Sequence, residues 1–241
     1  MSTRELLVDF LSFLKKPDTI RSTLDPKQSW MQVFRLWSYL FVFIVLGSVV
    51  VGSLLLDLPK HGGFKEAIEQ YGLVGFTVFA VVVGPFLEEV AFRLGMRFRL
   101  RNVLIGVVAF VSYVATATSP AVKRFGGEYG MVYLYAIAFL ATVSFVVLCL
   151  KYREKMEYYW TSNFSFIFYL FSVCFALIHI ANFEEFPLRV IVLVPIIILP
   201  QLILGLGMGY LRMRFGFWQG YLFHALNNAI AVSLFIANVN Q

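Results

Sequence analysis

The sequence predicts an all-α, polytopic transmembrane helical bundle of seven spans, or eight if one interrupted segment is doubled. Three observations carry that expectation. Of the 241 residues, 60% are hydrophobic and only 14% are charged, and the mean hydropathy is +0.79, which no ordinary soluble domain reaches. Several apolar runs attain the ~20 residues needed to cross a hydrocarbon core. The short alternating segments of a transmembrane β-barrel do not occur.

Taken in chain order, residues 1–34 form a polar-apolar N-terminal segment. Its acids, Glu5, Asp9, Asp18 and Asp25, make it too long and too acidic for a signal-peptide n-region, so the first span is expected to be retained. Between Arg4 and Leu14, the residues Leu6, Leu7, Phe10, Leu11, Phe13 and Leu14 alternate with polar positions. Ser2 with Glu5 matches a capping box, and Pro17 closes the other end. The pattern predicts a helix lying on the cytoplasmic membrane surface. Residues 35–241 then read as one transmembrane domain without repeats or low-complexity linkers. Its apolar spans are 36–58, 72–96, 102–119, 131–150, 164–183, 188–211 and 217–238. Pro195 and Pro200 interrupt the sixth, which is where a broken or doubled span is expected. Gly205 and Gly209 in the same segment form a small-xxx-small pattern suited to close helix packing.

Basic residues fix the predicted orientation. The N-terminal segment, Arg97/Arg99/Arg101, Lys151/Arg153/Lys155 and Arg212/Arg214 fall on one side, and Lys60, Lys65, Lys123, Arg124 and Arg189 on the other. With Arg93 set aside, that is fourteen against five, which predicts a cytoplasmic N-terminus. The net charge of +6 is therefore topological, and no nucleic-acid motif or aromatic-interleaved basic patch accompanies it. Cys149 and Cys174 sit in apolar surroundings and read as small hydrophobes, not as a disulfide or a redox pair.

Within this apolar chain, a few polar residues demand a reason. Glu88 and Glu89 follow a stretch from Leu73 to Leu87 with no ionisable side chain, and each charge at membrane depth costs at least ~2.5–3.5 kcal/mol on insertion scales. Arg93 follows Glu89 at i,i+4 spacing, so these two can pair on one helix face. Consecutive residues point about 100° apart, which leaves Glu88 as the carboxylate for another task, a general base whose proton affinity burial and a nearby cation would tune. Besides the loop residue His61, the only histidines are His179 and His224, both in apolar segments. Asn228 follows His224 by one turn, so an imidazole and an amide project from one face and can donate toward one developing oxyanion. Each of these taken singly has a packing explanation, interhelical hydrogen bonding included. Their occurrence on three separate spans points to a reaction site.

The residues also carry a resemblance. Glu-Glu-Val-Ala-Phe-Arg at 88–93 matches EExxxR, Phe175 to His179 matches FxxxH, and His224 to Asn228 matches HxxxN. In this order, over residues 72–238, they resemble the CPBP family of CAAX prenyl proteases and bacteriocin-processing or immunity-related membrane proteins. The resemblance implies an intramembrane endopeptidase that works through an activated water. Glu88 would be the base, Glu89 and Arg93 its supporting pair, His179 an assistant to the water, and His224 with Asn228 the oxyanion donors. One departure is the 85 residues between Arg93 and His179, where pocket walls and substrate entry would differ. Depth is a second difficulty. On seven spans, Glu88 and His224 lie ~13 Å from the basic side at 1.5 Å per residue, and His179 lies nearer the opposite face, so a shared site needs tilt or a broken helix.

Glu88, His179 and His224 have the ligand types of a catalytic zinc site, and the reading leans toward a divalent metal. The same residues can activate water without one, and the His-Glu-x-x-His spacing is absent. The expected substrate is a peptide or membrane protein, cut near the C-terminus of a lipidated or membrane-bound chain. The expected location is the bacterial inner membrane. Two other classes stay open: a proton-coupled transporter, since buried Glu and His build proton relays, and a non-catalytic interaction or immunity protein on the same scaffold.

Overall fold

The computed structural model describes residues 1–54, 64–182 and 192–239. His61, Lys60 and Arg189, placed in connections by the sequence, lie outside the described residues, as does the start of the expected span 188–211. Among the described residues every regular element is helical. The chain divides into two compact units, one made of Met1–Phe86 with Ser172–Gln241 and the other of Leu87–Phe171.

The first unit begins with α1 (Thr3–Lys15), whose N-terminus is closed by the expected capping box. Ser2 N–H donates to Glu5 Oε2 at 2.7 Å, and Glu5 N–H donates to Ser2 Oγ at 3.3 Å. Its stripe of Leu6, Phe10 and Phe13 is buried within the protein, while Val8 and Leu11 stay exposed. In α2 (Pro26–Leu54), Pro26 occupies the first helical position, where a missing N–H does no harm. Asp25 caps it by accepting from Gln28 N–H at 2.8 Å. The stripe Val33, Leu36, Leu40 and Ile44 is buried at the 3–4 residue period of a helix packing on one side. Its partners are α9 (Leu199–Arg214) and α10 (Phe217–Val239). The three helices pack closely at Gly207. A Cβ there would meet Leu40 Cδ1 at 2.7 Å and Phe223 Cζ at 3.1 Å. The glycines singled out by spacing, Gly205 and Gly209, are buried one turn-fraction to either side.

The N-terminal segment is locked to the end of α9 by Arg214. Its Nε donates to Asp9 Oδ2 at 3.1 Å, and its Nη1 donates to Asp18 Oδ1 at 2.6 Å and to Ile20 O at 2.9 Å. Tyr210 adds a hydroxyl donated to Asp9 Oδ2 at 2.7 Å and a ring on which Phe10 and Phe13 rest edge-on. Burial pushes the Asp18 carboxyl up, but Arg214 and the Ile20 N–H more than offset it, so it titrates below its usual value. A depressed carboxylate stabilises the fold above its unfolded value of about 3.9 and loses that contribution as pH falls through the lower folded value. We expect Arg214→Leu to cost about 1–3 kcal/mol, below the range for a buried pair because the carboxylates keep 37% and 33% exposure. Protection factors at residues 3–15, taken against the intrinsic exchange rate at each pH, should fall in that variant, and in the native chain once pH drops below about 4. Unchanged protection in both would contradict the lock.

Next come α3 (Phe64–Val78), which is kinked at Gly72, and a π-helical turn at Phe79–Val83 that continues into α4 (Gly84–Phe92). A 3₁₀ turn, Leu94–Met96, leads on to α5.

The second unit is built around α5 (Leu100–Lys151), which is one run of 52 residues only by hydrogen-bond continuity. Gly127 adopts φ 57°, ψ −153°, a conformation open to glycine and strained for other residues. Residues 122 and 130 would stand about 12 Å apart along a straight helix. Instead, a Cβ on Gly130 would lie 3.2 Å from Val122 O. The chain therefore reverses at Gly127, and Lys123 pairs with Glu128 at 3.1 Å across the bend. The two expected spans, 102–119 and 131–150, are the two arms of this hairpin. The first arm packs on the 94–96 turn so closely that a Cβ on Gly106 would come 3.1 Å from Gly95 N. α6 (Arg153–Ser162) and the start of α7 (Phe164–Ile178) complete the unit. Trp160 Nε1 donates to Met96 O at 3.3 Å.

Five helices among the described residues are long and apolar enough to cross a membrane: Pro26–Val49, Ala67–Met96, Leu100–Lys151, Phe164–Ala181 and Phe217–Ala237. The expected count of seven differs for two physical reasons. Two expected spans share the folded-back α5. The expected 188–211 span is broken, with the short α8 (Val194–Ile197) preceding α9. At 16 residues, α9 reaches only about 24 Å, short of a ~30 Å hydrocarbon core.

Candidate active site

Glu88 and Glu89 stand on α4, and the helix gives these neighbours different surroundings. Glu89 and Arg93, one turn apart, are both fully buried and form an ion pair at 3.5 Å. The helix holds the pair in place through the Arg93 N–H, which donates to Glu89 O at 2.9 Å. Glu88 is half-buried. Its Oε1 accepts a hydrogen bond from the Tyr113 hydroxyl at 2.9 Å. Tyr113 comes from the first arm of α5, and its ring meets Phe92 edge-on at 5.6 Å. Phe92 is itself braced edge-on by Phe110 at 5.4 Å. A carboxylate accepting one hydroxyl proton keeps lone pairs with which to take another.

Sequence reasoning missed Tyr113. It lies 25 residues from Glu88, outside any motif, and the one available signal was that a tyrosine inside an apolar span needs a partner for its hydroxyl.

In the first unit, Phe175 organises the two histidines. His179 is the first residue past α7, where the helix tightens into the 3₁₀ turn His179–Asn182. Its Nδ1 lies 2.7 Å from Phe175 O. A carbonyl only accepts, so Nδ1 carries the hydrogen, and in the neutral ring Nε2 is the acceptor nitrogen. The FxxxH spacing thus has a local meaning: the phenylalanine carbonyl one turn back sets the histidine tautomer. The fully buried Phe175 ring meets His179 at a centroid distance of 4.6 Å and His224 at 5.7 Å, both edge-on. His224 is 1% exposed. The sequence placed the two histidines at different depths, and in the folded unit they share this ring.

Asn228 is tied to the π turn. Gly84 N–H donates back five residues to Phe79 O. The next bond in that register would run from residue 85 to Ala80 O, but Pro85 has no N–H to give. Asn228 Nδ2 supplies it, donating to Ala80 O at 3.0 Å, and the Tyr221 hydroxyl donates to Val82 O at 3.2 Å. The second hydrogen of the Asn228 amide is not used in that bond. Such wide turns recur at functional sites.

The structure therefore gathers Glu88, Glu89 and Arg93 with Tyr113 in one unit, and gathers His179 and His224 around Phe175 in the other, which also holds Asn228. Among the described residues, no group of three His, Cys, Asp or Glu side chains is placed to hold a metal ion.

Neither a curated protein nor a solved structure matches the chain. A family model described as type II CAAX prenyl endopeptidase Rce1-like matches residues 70–230, well over half of the sequence and a range that spans all three motifs. The chain is accordingly an integral membrane protein and belongs to the type II CAAX prenyl endopeptidase Rce1-like family of intramembrane proteases.

Proposed function

We propose that the chain hydrolyses a peptide bond through a water activated by Glu88, with Glu89 and Arg93 holding the α4 segment that presents it. The observation that supports this reading is the division between adjacent carboxylates: Glu89 is fully buried against Arg93, whereas Glu88 is half-buried and bound to a tyrosine hydroxyl. A structural ion pair needs only one of them.

In this mechanism Glu88 removes a proton from water as its oxygen attacks the scissile carbonyl carbon. His179 Nε2 accepts a hydrogen bond from the water's other O–H and orients it. The carbonyl π electrons move onto oxygen, where an N–H of His224 and the second amide hydrogen of Asn228 stabilise the negative charge. Collapse of that intermediate breaks the C–N bond. Glu88 returns the proton to the departing nitrogen, giving a free amine and a new carboxylic acid, which then ionises to solvent. A divalent ion held by Glu88, His179 and His224 would polarise the water. The substrate is a membrane-bound peptide or protein, cut near its C-terminus, with a lipidated tail as one form.

Purified protein in liposomes should cleave members of a membrane-embedded peptide library. His224→Ala should lower the rate by about 10²–10³-fold, the usual loss of one oxyanion donor. Because the ring is 1% exposed, the variant should also melt several degrees lower, so rates are compared per folded molecule. Full activity in that variant would remove His224 from the chemistry. A chelator arm, with zinc added back, reads metal dependence separately.

The orientation we propose puts the N-terminus in the cytoplasm of a bacterial cell, with the chain in the inner membrane, on the strength of the basic-residue asymmetry. An exposed Arg99→Cys should react with an impermeant thiol reagent only after the membrane is breached, and Arg124→Cys in intact cells. The reverse pattern would invert the topology.

A further inference from the structure

The second unit contains an apolar cavity of about 670 Å³, within the ~300–1,000 Å³ that small-molecule sites occupy. Val107 and Val111 from the first arm of α5, Ala141 and Phe145 from the second, and Met156 and Trp160 from α6 are among its walls. None of these residues enters the hydrolysis described above. The lining offers almost nothing to a peptide backbone, whose N–H and C=O groups would be stranded there at a cost of ~1–3 kcal/mol or more each. A hydrocarbon chain has no such groups.

One end of this unit is strongly basic. Because α5 doubles back at Gly127, its start and its finish lie on the same side, and that side collects Arg97, Arg99, Arg101, Lys151, Arg153 and Lys155 against two acids, Glu154 and Glu157. The clustering is physical as well as sequential. The Lys151 and Lys155 ammonium groups lie 5.3 and 5.8 Å from the centroid of the same Tyr152 ring. Trp160 is bonded to Met96 O and touches Phe98 at 6.1 Å, which fixes the arginine-bearing turn beside α6. Met156, the first α6 residue in the cavity wall, directly follows Lys155. An apolar slot thus ends under a cluster of cations, with tryptophan and tyrosine at the junction, the side chains favoured where hydrocarbon meets headgroup.

We propose that this cavity binds an acyl chain of an anionic phospholipid, with the phosphate held by Lys151 and Lys155 and by the Arg97–Arg101 segment. A neutral isoprenoid tail would satisfy the slot but bring no anion to Lys151 and Lys155. An anionic diacyl lipid meets both. The proposal is independent of the catalytic roles above.

The test uses the full chain in phosphatidylcholine vesicles, with Trp160 as reporter and a Trp160→Phe variant to subtract the signal of the other tryptophans. Bromine atoms midway along an acyl chain quench Trp160 when that chain fills the cavity. Brominated phosphatidylglycerol should reach half-maximal quenching at a mole fraction at least tenfold lower than brominated phosphatidylcholine. Each basic residue beside an anionic surface is worth about fivefold, so two of them suffice. The exposed-residue variant Lys151→Gln/Lys155→Gln should lose most of that preference while quenching by the brominated choline lipid is unchanged. Equal quenching by the two lipids would overturn the proposal, as would a preference that survives the double substitution. Release of the quenching by low mole fractions of an uncharged prenyl alcohol would also overturn it and assign the slot to an isoprenoid.

Discussion

Glu88→Gln should abolish most of the peptide-bond cleavage while leaving the fold intact. The amide has nearly the shape of the carboxylate and can still accept from the Tyr113 hydroxyl, which lies 2.9 Å from Oε1 in the native protein. What it cannot do is take a proton from water. General-base assistance contributes typically ~10²–10⁴-fold, and that range bounds the expected drop in kcat. Since Glu88 is half-buried, not sealed in the core, the melting temperature should move by only a few degrees. Cleavage of a membrane-embedded peptide and thermal unfolding would be measured on the same preparation. Near-native turnover by the glutamine variant would remove Glu88 from the reaction and turn attention to ion or proton movement.

Glu89→Leu should behave in the opposite way, with stability as the first casualty. Both partners of the Glu89–Arg93 pair are 0% exposed, so deleting the carboxylate leaves a guanidinium with less compensation for its lost hydration. Breaking one half of a buried pair costs ~3–5 kcal/mol, a large part of the ~5–15 kcal/mol that holds a typical protein together. The double variant Glu89→Leu/Arg93→Leu should recover much of that loss, because two apolar side chains need no counter-charge. Unfolding of the two single variants and the double variant completes a cycle. A single-variant cost below about 1 kcal/mol, the value of a surface pair, would refute a stabilising role for the pair.

These two experiments rest on features of unequal visibility in the sequence. The pairing of Glu89 with Arg93 was legible because both lie on one helix, and i,i+4 spacing is geometry that a sequence carries directly. The same holds for Ser2 with Glu5 at the start of α1, and for His179 one turn after Phe175. Contacts between helices were not legible. Tyr113 reaches Glu88 from another helix, Arg214 reaches Asp9 from the far end of the chain, and Asn228 answers a carbonyl that only a π turn and Pro85 leave open. No periodicity encodes any of these. The span count differed for a related reason. Hydropathy separated the two arms that meet at Gly127, but it does not see that helical bonding runs on through the bend and joins them into one run, or that α9 is short. Spacing marks Gly205 and Gly209 but not Gly207, which Leu40 of α2 and Phe223 of α10 approach closely, because the faces of partner helices decide where a backbone is approached.

The tie between Arg214 and the N-terminal segment also has a consequence in time. Asp9 and Arg214 are 205 residues apart, so the bond cannot form until Arg214 has left the ribosome, about 10–40 s after the first helix at ~5–20 residues per second. An isolated helix of 13 residues is marginal in water, but its apolar stripe can rest on a lipid surface in the interval. The face of Leu6, Phe10 and Phe13 that ends buried, with Tyr210 among its contacts, therefore needs other apolar cover during synthesis, and a lipid surface is a cover that its pattern suits.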